Sequence, residues 1–278
     1  MTRSLVESQF GANAAAYASS AVHAAGESLA LMVEMADPQP GWTGLDVATG
    51  AGHMALAFAP RVGRMIASDV TAEMLAETRA LAARRGIANL ETVQAPADRL
   101  PFADKSLDLV CCRLAAHHFP EPAAFVSEAR RVLKPGGTFA LVDNVSPDEA
   151  IMPGLDRAAL RDAAVVYNQF EKLRDPSHGR ALQAAEWLEL VGDAGLEVAA
   201  WRVLVKPMEF GAWVERMQCA PATRARLAAM LEPAASDGGD PGAGTGLLPR
   251  FLMPRRDGEG LWISLRELVL AARKAGPS

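Results

Sequence analysis

The chain has 278 residues, half of them hydrophobic, and a formal net charge of -5 at neutral pH. That length can bury a full core, and the mild acidity, with no basic run interleaved with aromatics, leaves no electrostatic footprint for nucleic acid. Three cysteines, two of them adjacent in an apolar run, match neither a disulfide framework nor zinc-ligand spacing.

No apolar run reaches about 18 residues, and the N-terminus lacks a basic region followed by an apolar core and cleavage site. A soluble, unprocessed, cytoplasmic protein with small-molecule partners is expected. Its oligomeric state is left open.

Residues 4–36 are Ala-rich and place Phe10, Tyr17, Val22, Leu29, Met32 and Val33 at helical spacing until Pro38 and Pro40 stop the pattern. The segment reads as a cap on the domain edge, or as a cover for a cofactor pocket using Tyr17 or His23. Gly44-Leu-Asp-Val-Ala-Thr-Gly-Ala-Gly-His-Met-Ala55 then carries a short apolar strand into a glycine turn and a helix over 53–60. Gly50 and Gly52 let the backbone turn tightly and approach a ligand, and Ala55 stands where the dinucleotide fingerprint admits Gly or Ala. Alone the pattern is a generic turn.

The second strand gives that turn a meaning. Arg64-Met-Ile-Ala-Ser-Asp69 ends in an acid 19 positions after Gly50, near the spacing at which a carboxylate accepts from both ribose hydroxyls of an adenosine cofactor. Thr71 can cap the following helix, which ends at Gly86. After a third strand over 90–94 comes Ala97-Asp98-Arg-Leu-Pro-Phe102, where Asp98 can reach an adenine amino group and Phe102 is expected to be buried. A fourth strand over 107–112 and a helix over 122–133 lead to Lys134-Pro-Gly-Gly137, read as a turn into a fifth strand over 138–142. Strands alternating with helices imply a parallel sheet covered on both faces, with ligands beyond the strands' carboxyl ends.

From 146 to 177 the pattern turns helical and more charged, as a lid over the strand ends would. Tyr167, Glu171, Arg174 and His178 are its candidate substrate contacts, with a solvated helix face as the plainer reading. A helix over 187–194, a sixth strand over 196–205, a helix over 210–231, a flexible loop over 235–246 and a last strand over 261–272 complete the chain. The expected partition is a cap at 1–40, a cofactor-binding core at 41–145, a lid at 146–185 and the rest of the core at 186–278.

The stretches Leu45-Asp-Val-Ala-Thr-Gly-Ala-Gly-His53, Ser68-Asp-Val-Thr-Ala-Glu-Met-Leu75, Ala97-Asp-Arg-Leu-Pro-Phe102, Leu107-Asp-Leu-Val110 and Arg131-Val-Leu-Lys-Pro-Gly-Gly137 follow in an order that resembles class I S-adenosylmethionine-dependent methyltransferases. The branch is similar to the ubiquinone and menaquinone biosynthesis methyltransferases. The resemblance implies a Rossmann-like seven-stranded α/β fold, mostly parallel, with a final antiparallel strand inserted beside the sixth. It also implies S-adenosylmethionine as cofactor and S-adenosylhomocysteine as product. By the same resemblance, Asp46 and the backbone of Ala48, Gly50 and Gly52 hold the methionine part and Asp69 binds the ribose. Val70 and Met74 border the adenine, Ala97 and Asp98 face its edge, and the backbone at Cys112 and Arg113 passes beside the sulfonium.

Methyl transfer from a sulfonium asks the protein chiefly to align the acceptor and exclude water. If the acceptor must lose a proton, a base near the end of strand four is well placed, and His117 and His118 stand there. One packed ring and one solvated ring is the plainer reading of the pair. His117, His118, His178 and Cys112 match no common zinc spacing, so no metal is expected. The acceptor suggested by the resemblance is quinone-like or otherwise aromatic. The alternatives are a carboxyl methyltransferase acting on a carrier-bound acyl group, because Phe10-Gly-Ala-Asn-Ala-Ala-Ala-Tyr17 also resembles malonyl-thioester methyltransferases, and a non-catalytic cofactor-binding sensor or accessory subunit.

Overall fold

A computed structural model describes Leu5, residues 26–232 and residues 246–276. Phe10, Tyr17, Val22 and His23 lie outside the described residues, as does most of the loop expected at 235–246. The elements in order are α1 (Glu27–Ala36), β1 (Thr43–Val47), α2 (His53–Phe58), β2 (Arg64–Asp69), α3 (Ala72–Arg84), β3 (Leu90–Gln94), β4 (Leu107–Arg113), α4 (Pro122–Val132) and β5 (Leu133–Asn144). There follow α5 (Arg157–Arg174), α6 (Ala184–Asp193), β6 (Leu196–Glu209), α7 (Phe210–Glu215), α8 (Pro221–Leu231), α9 (Leu247–Leu252), β7 (Arg255–Asp257) and β8 (Gly260–Lys274).

The sheet order is β3-β2-β1-β4-β5-β8-β6, with β7 paired antiparallel to β8. β3, β2, β1, β4 and β5 are mutually parallel, and β8 inserts between β5 and β6. The β1-β4 neighbourhood is therefore a switch point, where the chain's strands run outward in both directions. Burial explains the apolar strands. Leu45 and Val47 of β1, Met65 to Ala67 of β2 and Leu109 to Cys112 of β4 are all at most 1% exposed, as strands covered on both faces require.

Packing divides the chain into two compact units. Of the described residues, the first holds those up to Asp143 with 187–202 and 268–276, and the second 144–186, 203–232 and 246–267. This partition differs from the one suggested by the sequence, because the described residues of 203–267 pack with the stretch after β5.

In the first unit, the motifs behind the family resemblance bond to one another. The Arg131 guanidinium donates to the carbonyls of Leu100 and Phe102 and to Glu128 and Asp104. Glu128 in turn accepts from the Leu100 amide. Asp108 accepts from Lys134 Nζ and from the Thr43 amide on β1. Lys274 caps the carboxyl end of α4 through the Arg130 and Leu133 carbonyls at 2.6 Å each.

Five local expectations are corrected. Lys134-Pro-Gly-Gly137 lies within β5 as a bulge, between the pairs Leu107↔Leu133 and Leu109↔Thr138. The helix expected over 210–231 is two helices, because Gln218 is left-handed (φ 53) and Pro221 starts a new N-terminus. Asp257-Gly-Glu-Gly260 makes a hairpin that adds β7 as an eighth strand. Thr71 occupies the N-cap position of α3 without a capping bond from its hydroxyl. Leu100, at 3% exposure, is the buried residue of its turn, and Phe102 is only half-buried.

The core of the second unit is aromatic. Phe170 stacks on Trp213 at 5.2 Å, the Arg174 guanidinium covers the same indole at 4.4 Å, and Tyr167 meets Phe251 edge-on. Among the described residues, no helix is long and apolar enough to cross a membrane.

Candidate active site

Residues at the carboxyl ends of β1, β2, β3 and β4 line a cavity of about 350 Å³ in the first unit, within the range of small-molecule sites. The turn after β1 is tied down by Asp46, which is 1% exposed. Its Oδ2 accepts from Thr49 Oγ1 at 2.6 Å and from the Ala55 amide at 3.0 Å, so one oxygen joins the turn to the first turn of α2. Burial pushes this carboxyl up to about 7 despite those two hydrogen bonds. Gly50 and Gly52 are left-handed (φ 54 and 88). A Cβ on Gly52 would stand 2.6 Å from Thr78 Cγ2, whereas one on Gly50 meets no protein atom within 4 Å. Gly52 is thus required for packing on α3, and Gly50 leaves the backbone open.

Two non-glycine residues share this left-handed conformation at the cavity, Ala48 after β1 (φ 53) and Leu114 after β4 (φ 54). Each costs on the order of 1–2 kcal/mol. Both are held by the ladder they extend: the Thr49 amide donates to the Ser68 carbonyl, and the Leu114 amide to the Val142 carbonyl.

Asp69 closes the β2 side at 7% exposure. Its Oδ2 accepts from the Gly50 amide at 2.9 Å and its Oδ1 from the Thr71 amide at 2.8 Å. Burial raises its pKa, against the pull of these amides. A carboxylate has about four acceptor sites, so each oxygen keeps capacity for a further donor such as one hydroxyl of a ribose diol. The open backbone at Gly50 and the buried acid facing the same cavity fit the cofactor expected from the sequence.

The expected cofactor residues gather as follows. Asp46, Ala48 and Gly50 line the cavity from β1, and Asp69, Val70 and Met74 from β2 and α3. Ala97, Asp98 and Arg113 line it from the ends of β3 and β4. Gly52 stands behind the turn, and Cys112 is fully buried in β4.

The two histidines separate. They occupy a single 3-10 turn, Ala116–His118, after β4. His118 lines the cavity, next to Phe119 and with Phe125 in the same lining. His117 is 8% exposed, and its Nδ1 lies 2.6 Å from Asp143 Oδ1 on β5. The two imidazoles are 4.2 Å apart, tilted by 45°. Asp143 is completely buried, and sequence reasoning missed it. The signal was there, since Asp143 is an acid near the carboxyl end of an apolar strand, as Asp69 is.

The candidate substrate contacts in the second unit are bonded to that unit's own interior. Tyr167 donates to Glu171 at 3.2 Å, and both are almost fully buried. Arg174 donates to the Trp213 carbonyl and to Glu171. His178, 2% exposed, bonds Asn168 at 2.9 Å. Among the described residues, no group of three His, Cys, Asp or Glu side chains is placed to hold a metal ion. Burial pushes the Cys111 and Cys112 thiols well up, which suits structural cysteines rather than nucleophiles.

Comparison with known proteins places this geometry. A methyltransferase-domain family matches residues 45–141. The uncharacterised methyltransferase YcgJ of Bacillus subtilis is 37% identical over 213 residues, covering 76% of this chain and 79% of that protein. The ubiquinone/menaquinone biosynthesis C-methyltransferase UbiE of Brucella anthropi is 34% identical over 185 residues, covering 64% of this chain and 63% of its own. Among solved structures, BH2331 of Bacillus halodurans superposes with a TM-score of 0.77 at 34% identity, covering 90% of this chain and 100% of that one. The YcgJ structure superposes at 0.75 with 28% identity, covering 90% and 99%.

Proposed function

This chain belongs to the class I S-adenosylmethionine-dependent methyltransferases, and from that premise we propose that its acceptor is a small, mainly apolar aromatic carrying an ionisable hydroxyl, of the hydroquinone type. The observation that carries this reading is the placement of His118 beside Phe119 on the wall of the same cavity that the glycine turn and Asp69 line. The similarity to UbiE, named for quinone biosynthesis, supports the acceptor class. Bound there, S-adenosylmethionine supplies a methyl carbon on a sulfonium and is left as the thioether S-adenosylhomocysteine once the acceptor's electron pair has taken that carbon.

The chain's own residues do the rest. Asp69 holds the ribose, Asp46 keeps the turn in its binding shape, and Met74, Val70 and Ala97 border the adenine. Phe119 and Phe125 offer an apolar wall from which water is excluded. His118 takes the acceptor's proton as the new bond to the methyl carbon forms, so positive charge does not build up on the attacking atom of the acceptor but passes to the imidazole.

The test uses methyl-labelled cofactor with reduced 1,4-naphthoquinone and, in parallel, with a small-molecule cell extract. Label in a methylated hydroquinone, lost in His118→Gln with cofactor affinity intact, is the expected result. Label confined to extract compounds lacking an ionisable aromatic hydroxyl overturns the acceptor class.

A further inference from the structure

We infer that Asp143 and His117 are a positioning pair for His118. The buried carboxylate on β5 fixes the His117 ring, and that ring sets the orientation of His118 at the cavity wall. The inference rests on the reading of His118 as proton acceptor and assigns it a supporting structure that sequence motifs do not mark.

The geometry comes from two strands. β4 and β5 pair in parallel as far as Arg113↔Val142, so Asp143 is the next residue beyond the last paired position and lies beside the turn that carries both histidines. At 2.6 Å the Asp143 Oδ1 to His117 Nδ1 contact is short even for a charge-assisted bond. A carboxylate accepts only, so the hydrogen sits on His117 Nδ1 and its Nε2 points away from β5. A completely buried carboxylate needs such a donor, which makes the bond an anchor for the ring. His118 follows in the chain and its ring is 4.2 Å from that of His117, so a rotation of one ring must displace the other. Neither His117 nor Asp143 lines the cavity, and neither is assigned a proton in the reaction. The titratable groups that line the cavity together with His118 are Asp46, His53, Asp69, Asp98, Arg113 and Glu121, and the buried Cys112 thiol on β4 feels the charges of Asp143, Asp46 and Asp69.

The test is nitrogen-15 histidine NMR of the whole chain saturated with S-adenosylhomocysteine, on wild type, Asp143→Asn, Asp143→Ala and His117→Gln. Asn keeps an acceptor oxygen and serves if the Ala variant does not fold. Wild type should show His117 with a protonated Nδ1 across the titration. Asp143→Ala should lose that signature and move the His118 midpoint, while S-adenosylhomocysteine affinity stays within about twofold. Single-turnover transfer to reduced 1,4-naphthoquinone, or to the labelled compound found in extract, should slow by on the order of 10- to 100-fold in Asp143→Ala and less in Asp143→Asn. Unchanged His117 and His118 spectra in the two Asp143 variants, an unchanged His118 spectrum in His117→Gln and a wild-type rate in all three overturn the pair, even where His118→Gln is inactive. A wild-type rate in His118→Gln instead overturns the proton-acceptor reading, and the role of the pair with it.

Discussion

On the β1-β2 side of the cavity, acids bond chiefly to backbone amides: Asp46 to Ala55, and Asp69 to Thr71 two residues on and to Gly50 in the turn after β1. On the β4-β5 side, the polar groups are side chains bonded to side chains, and His117 finds Asp143 26 residues away on another strand. The first arrangement holds a loop whose shape is set by the local backbone. The second holds a ring whose orientation depends on a neighbouring strand.

The largest expected effect lies on the β4-β5 side. His118→Gln should lower the single-turnover rate by about 10²- to 10⁴-fold and leave cofactor affinity unchanged by calorimetry. Loss of cofactor binding in this variant would merge the two sides and break the comparison.

Asp46 tests the other side through pH. A carboxyl raised from 3.8 to about 7 on folding holds its proton more tightly in the folded chain. Its stabilisation is therefore complete below the unfolded pKa and is lost as pH rises through about 7. Asp46→Asn should gain stability relative to wild type between about pH 4 and about pH 8, by at most about 4 kcal/mol. Urea unfolding at several pH values measures it, and parallel pH profiles would remove Asp46 as a buried acid.

Asp69→Ala should weaken cofactor binding by roughly 10- to 100-fold, the value of a charged hydrogen-bonding group of about 1.5–3 kcal/mol. Calorimetry with S-adenosylhomocysteine reads it, and unchanged affinity would refute the ribose assignment. The smallest effect is expected away from both walls. Arg131→Ala should cost about 1–2 kcal/mol in thermal unfolding, because Arg131 fastens the turn after β3 to α4 without lining the cavity. A loss of cofactor affinity there would show that this turn, with Asp98, is part of the β1-β2 side's rigidity.

Most of the fold and the cofactor side could be read from the chain, because each signal is local. A strand, a left-handed glycine and an acid at the next strand's end all act within a few tens of residues. The motifs at 97–102, 107–110 and 131–137 add to this, and their mutual hydrogen bonds give the physical reason they occur together. Turn chemistry overruled periodicity at Gln218-Pro221 and at Asp257-Gly258, where the reading followed apolar spacing and passed over the breakers.

The sequence by itself determined the α/β class, the glycine turn, Asp69 and a histidine pair after strand four. It did not separate the two histidines, since adjacent residues in a 3-10 turn can face either way and only the neighbouring strand decides. Parallel pairing of β4 with β5 put Asp143 against His117 and left His118 to the cavity. Burial likewise turned Tyr167, Glu171, Arg174 and His178 inward, where Tyr167 and Arg174 bond Glu171, Arg174 also reaches the Trp213 carbonyl and His178 bonds Asn168. The His117–Asp143 and Arg174–Trp213 contacts come from long-range register and packing, and the direction in which the other side chains face follows from burial, which no single stretch of the chain contains.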